Sequence, residues 1–199
     1  MMSILRDFQF STAFTTLAER TRADYAGIIA KIEKEFGDFP LAGINKEPDQ
    51  ARGEFLEWHD KLATTSRRQA DYAWTVLSRI LKWGLDRGKI RINPCKDFGS
   101  RLYSGSRADK VWSAEDEAAF LSKSPAHLHL PLQLALWTGQ RQGDLLRLPW
   151  SAYDGKWIRL KQSKTGVRVA IPVGMPLKLA LDAAAKVKKG PLTELKGEQ

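Results

Sequence analysis

The sequence predicts a mainly α-helical protein with one small antiparallel β-hairpin: a helical domain followed by an α+β region. Three observations carry this. Apolar residues recur at three- and four-residue steps across residues 21–87, residues 156–173 alternate in the β manner, and a Ser-Lys-Thr-Gly turn divides that alternating stretch. The helical domain is expected over residues 1–98, a linker over 99–110 and the second domain over 111–199.

From Thr21 onward, Tyr25, Ile28, Ile29, Ile32 and Phe36 make one helical stripe, ended by Gly37, Asp38 and Pro40. A second helix is expected after Pro48, with Phe55, Leu56 and Leu62 inward. Thr64-Thr65-Ser66 offers an N-cap for a third, from Arg67 to about Arg87, whose stripe is Ala70, Ala73, Trp74, Leu77, Ile80, Leu81 and Leu85. Gly88 is placed to close it, and Asn93-Pro94 to start an extended exit. Residues 99–110 are small, polar and basic without apolar periodicity, which reads as a linker. Ser113, with Asp116 three residues on, forms a near capping box for the next helix. The run LHLPLQLALW predicts a buried helix with Pro131 in its first turn. After a helix starting at Arg141, Lys156–Gln162 and Val167–Val173 are the expected strands, and Gly166 supplies the positive φ of their turn. A last helix runs from Pro176 to about Lys188.

Composition narrows the partners. The net charge is +9 with a pI near 9.7, and most of the excess lies after residue 98. That balance suits a polyanion, although mild basicity also serves solubility alone. No stretch is long and apolar enough to span a bilayer, and the N-terminus lacks a secretory pattern. The single Cys95 has no disulfide partner, so the expected compartment is the cytoplasm. His59, His127 and His129 lack ligand spacing, and neither a metal, a cofactor nor a small-molecule substrate is expected. Trp74, Trp137 and Trp150 fall on apolar stripes and are expected in cores; the basic Lys186–Lys189 run reads as a solvated helix end.

The chemistry concentrates in TGQRQGDLLRLPW, residues 138–150, and in the hairpin that follows. Gly139 lets the chain turn sharply, so Arg141 emerges at a helix start where free N–H groups already favour an anion. Its guanidinium forks onto two phosphate oxygens and keeps its charge. Asp144 is placed to brace the helix or the arginine, while Leu145, Leu146, Leu148 and Trp150 bury the other side. Lys164, at the hairpin tip, is suited to donate a proton to a departing oxygen. Taken singly, these are a surface Arg–Asp pair and a solvated turn lysine. Their order and spacing single them out.

The two boxes together resemble those of the tyrosine recombinases, the phage integrase family. That family is similar in carrying T-G-x-R-x-x-[DE]-L-x-x-L-x-W and then an S-K-T-G type turn leading into an I-P strand. Here these are Thr138, Gly139, Arg141, Asp144, Leu145, Leu148 and Trp150, then Ser163, Lys164, Thr165, Gly166, Ile171 and Pro172. The G-x-I-x-x-N-P ending of the family's helical core-binding domain is matched by Gly88, Ile90, Asn93 and Pro94. The resemblance implies a helical domain clamping one side of double-stranded DNA and a catalytic domain closing over the other. It makes Arg141 the holder of the scissile phosphate, Lys164 the donor to the leaving 5′-oxygen and Asp144 a supporting residue. It also puts Ser66, Arg67, Arg68 and Gln69 on DNA, with Ser163 and Thr165 beside Lys164, and it implies partner recombinase protomers on the duplex.

The family completes its site with an H-x-x-R box and a nucleophilic tyrosine. These residues hold no histidine beyond His129 and no tyrosine beyond Tyr153. The expectation is a shortened catalytic domain that binds DNA without strand exchange, which leaves its standing as an enzyme open. Two alternatives stay open: a non-catalytic protein occupying recombination sites against the full-length enzyme, and a helical transcription regulator.

Overall fold

The computed structural model describes residues 1–97, 101–105 and 111–186. The chain divides into two units, Met1–Ser106 and Arg107–Gln199.

The first unit is helical: α1 (Met2–Gln9), α2 (Thr12–Thr15), α3 (Glu19–Phe36), α4 (Leu41–Lys46), α5 (Pro48–Ala63) and α6 (Arg67–Asp86). The predicted stripe of α3 is wholly buried. On α5, Phe55 is buried while Leu56 and Leu62 are half-buried, and Ala51, Trp58 and His59 join the buried face. The centre is α6, which packs against α1, α3 and α5. Ser66 caps it by accepting the Gln69 N–H at 3.3 Å, and Gly88 at φ +67° ends it. At Gly84 the side chain of the fully buried Ile4 lies so close to the α6 backbone that a Cβ would overlap its Cδ1. Gly84→Val is therefore expected to cost about 1–3 kcal/mol, read as a lower denaturant midpoint.

The chain leaving α6 is tied back to it. Ile90 is buried, and the Asn93 amide donates to Ser78 O at 3.0 Å while its Oδ1 accepts from Cys95 N at 2.9 Å. Arg52, stacked over Trp74, donates to the carbonyls of Pro94 at 2.5 Å and Lys96 at 3.0 Å. Burial pushes the Cys95 thiol far up, which leaves it inert. Further along, the buried Asp71 of α6 accepts the N–H groups of Leu102 (3.3 Å) and Tyr103 (2.9 Å), as well as Nε2 of His59 (3.1 Å). Of the expected linker, 99, 100 and 106–110 lie outside the described residues.

The second unit contains α7 (Ala114–Lys123), α8 (His129–Thr138), α9 (Gln142–Leu145), β1 (Trp157–Lys161), β2 (Arg168–Pro172) and α10 (Met175–Ala185). The capping box at Ser113 and Asp116 is formed. The strands pair antiparallel, from Trp157 opposite Pro172 to Lys161 opposite Arg168, so the fold is mainly helical with a two-stranded sheet. Its core is small: Leu134, Leu145, Leu148, Ile158, Leu177 and Leu181. Three expectations are corrected. First, α8 is not a buried helix: Leu134 alone on it is buried, and Leu136 and Trp137 stay 46% and 48% exposed. An apolar run shows what would gain from burial, but the described residues leave about half of Leu136 and of Trp137 uncovered. Secondly, Leu146 is exposed rather than packed, because α9 lasts only four residues before the chain turns. Thirdly, the last helix ends at Ala185; residues 187–199, including most of the Lys186–Lys189 run, lie outside the described residues. Among the described residues, no helix is long and apolar enough to cross a membrane.

Candidate nucleic-acid interface

In the second unit the site grows from the end of α8. Gly139, at φ +62°, closes the helix by donating its N–H to Ala135 O. The chain then extends through Gln140 to Arg141, the N-cap of α9 at φ −67° and ψ 143°. Arg141 thus stands before a single helical turn instead of inside a long helix, and its side chain is exposed. Behind it Asp144 is buried, 7% exposed, with Oδ1 accepting the Ser163 backbone N–H at 2.9 Å. Its Oδ2 is buried with no hydrogen-bond partner among the described residues. The Ser163 hydroxyl first, and then the Ser163 N–H, hold this carboxyl below the usual aspartate range; burial opposes them, and Arg141 and Arg147 assist.

Asp144 therefore braces the hairpin, an attachment that sequence reasoning did not foresee. A second bridge runs parallel to it. Gln162 Nε2 donates to Gln140 Oε1 at 2.8 Å, and Gln162 Oε1 accepts from the Thr165 hydroxyl at 2.8 Å. Gln162 N donates to Val167 O and Gly166 N to Gln162 O, each at 2.8 Å, which fixes the turn that carries Lys164. Residues on both sides of Arg141 are thus stapled to the two residues before Lys164. Arg141, Ser163, Lys164 and Thr165 are all exposed. Spacing could not have found Gln140 and Gln162, since an amide pair has no sequence signature.

In the first unit, Arg67, Arg68 and Gln69 are exposed at the start of α6, with Ser66 half-buried beneath them. Ser66, Arg68 and Gln69 line a groove of about 750 Å³ together with Arg20 and Arg101. The first turn of α6 has no acidic residue, so its positive end carries two arginines, and Asp24 and Asp71 are the carboxylates that line the same groove.

No protein-family model matches the chain. It is 31% identical over 176 residues to an integrase of Escherichia phage HK022, covering 85% of this chain and 46% of that protein. An integrase of Enterobacteria phage 434 is 39% identical over 188 residues, 87% and 50% of the two chains. A lambda integrase dimer bound to a COC' core site matches at TM-score 0.75 and 25% identity, over 93% of this chain and 54% of that one. The chain belongs to the phage integrase family. This integrase-family chain spans about half the length of the curated relatives it matches. A lambda integrase tetramer bound to a Holliday junction matches equally well, at TM-score 0.75 and 25% identity over 93% of this chain and 56% of the other. At 15% identity, a Tn1549 transposon integrase shares the fold at TM-score 0.72, over 100% of this chain and 69% of its own.

Proposed function

We propose that this chain binds double-stranded DNA in the manner of a phage integrase at recombination sites, with Arg141 and Lys164 directed to one backbone phosphate. The observation that carries this reading is the double staple, Asp144 to Ser163 and Gln140 to Gln162, which joins the Arg141 turn to the Lys164 turn. Held so, a guanidinium fork fixes two phosphate oxygens and an ammonium approaches a third position. In a completed site, Lys164 would protonate the leaving 5′-oxygen. Ser163 and Thr165 flank that phosphate. On the first unit, read as the core-binding domain, Ser66, Arg67, Arg68 and Gln69 face DNA, and the groove that Ser66, Arg68 and Gln69 share with Arg20 and Arg101 follows the backbone. Lambda integrase, observed as a dimer on a core site and as a tetramer on a junction, supports duplex DNA and sister protomers as partners.

These 199 residues hold no tyrosine after Tyr153, and the Tyr153 hydroxyl is engaged with Asp182 at 3.1 Å. Binding without a covalent adduct is the reading that follows. A nicked suicide duplex tests both parts. The chain is expected to trap no covalent DNA, and Arg141→Ala with Lys164→Ala to weaken duplex binding by about tenfold or more. Unchanged affinity in that double variant would end the phosphate reading. A trapped adduct would end the claim of binding alone.

A further inference from the structure

One face of the hairpin sets like charge against like. Side chains alternate along β1 and β2, so Ile158, Leu160, Val169 and Ile171 are buried or half-buried, while Arg159, Lys161 and Arg168 stand exposed on the other face. Lys161 and Arg168 are direct partners across the two strands. Two cations so placed repel each other, and neither side chain forms an ion pair or hydrogen bond with a described residue. Arg159, by contrast, is paired with Asp154.

A fourth base stands beside them. Arg147, just past α9, donates its Nε to Gly143 O at 2.9 Å and lines a groove of about 370 Å³ with Arg159, Lys161 and Ser163. Asp144 also borders that groove, but it is 7% exposed and its Oδ1 is taken by the Ser163 N–H. The charge open to solvent there is cationic. A cross-strand pair of like charges costs stability that an anion held between the two returns.

We propose that this face is a second phosphate site, in which Lys161 and Arg168 share one phosphate of a DNA backbone and Arg147 takes a neighbouring one. The inference rests on the integrase reading and adds residues that neither motif of the sequence specifies. Continuity favours DNA over an acidic protein segment. The groove is lined by Ser163, the residue before Lys164, and Lys161 lies three residues from Lys164. Three residues reach about 10 Å at most. With one phosphate per strand for about every 3.4 Å of duplex axis, that is within about three phosphates of the one at Lys164.

The test is Lys161→Gln with Arg168→Gln, titrated against a fluorescent duplex of unselected sequence at several salt concentrations. Affinity is expected to fall about fivefold or more, and the salt slope to flatten by about 0.9, the share of one phosphate. The melting temperature is expected to hold or rise, since the repulsion goes with the charges. Lys161→Arg with Arg168→Lys keeps both charges and is expected to keep the affinity. Unchanged affinity and slope in the glutamine variant would overturn the inference, as would equal loss in the charge-keeping variant, which would make the effect structural. So would binding to poly-glutamate that needs the two bases while duplex binding ignores them, which would make an acidic chain the occupant. Arg141→Ala with Lys164→Ala, titrated alongside, separates the failures: loss there with none in the glutamine variant removes the hairpin site alone. The reverse pattern keeps the hairpin site and removes the Arg141 and Lys164 phosphate, and no duplex binding by the unaltered chain removes both.

Discussion

Duplex affinity is expected to fall about fortyfold when salt is raised fourfold. On the proposed reading Arg67 and Arg68 each displace condensed counterions from a phosphate, and Arg141 with Lys164 from a third. With about three phosphates so neutralised, log K falls with log salt at a slope of about −2.7. A titration followed by fluorescence anisotropy measures that slope directly. Arg67→Ala with Arg68→Ala should flatten it by about two units and weaken binding across unrelated sequences alike, because phosphates carry no sequence information. A slope near zero would remove the phosphate-tracking surface altogether. An unchanged slope in the double variant would return those arginines to the solvent.

Asp71→Ala is expected to destabilise the first unit by about 3 kcal/mol. The alanine strands two backbone N–H groups, those of Leu102 and Tyr103, and takes the Asp71 carboxylate from Nε2 of the buried His59. Thermal unfolding gives the loss, and faster proteolysis at residues 101–105 gives its location. Asp71→Asn keeps one acceptor and should lose less. The same site has a pH signature. Burial would raise the Asp71 carboxyl, but hydrogen bonds from the Tyr103 N–H, His59 and the Leu102 N–H outweigh it and hold the group below the usual aspartate range. A carboxyl lowered in the native state contributes its stabilisation fully above the unfolded value and loses it as pH falls through the native one. Stability should therefore drain away below about pH 4, and Asp71→Ala should flatten that limb.

The long helices α3, α5 and α6 were legible because each runs for four turns or more and carries an apolar stripe, and because Ser66, Gly88 and Pro48 punctuate them. Short elements were not. α1 spans eight residues, too few to hold a helix alone, and its order comes from Ile4, Leu5 and Phe8 packing into the core beside α6. α4, pinned between Pro40 and Pro48, is shorter still. In the second unit, composition correctly marked Leu134 as core but misjudged Leu136 and Trp137, because sequence shows which side chains are apolar and not what stands opposite them. Among the candidate contacts, Arg141 and Lys164 were readable from their boxes. The amide bridge of Gln140 to Gln162, and the meeting of Arg20, Arg68 and Arg101 on one groove, depend on segments far apart in the chain.

The grip of Asp71 on Leu102 and Tyr103 also sets a leash. Only nine residues separate Tyr103 from Ser113, the cap of α7, so those two points can never stand more than about 35 Å apart. That reach is about one turn of the double helix. On the proposed reading, a stretch of backbone held by one unit therefore keeps the other within reach of the same stretch and raises its effective concentration there.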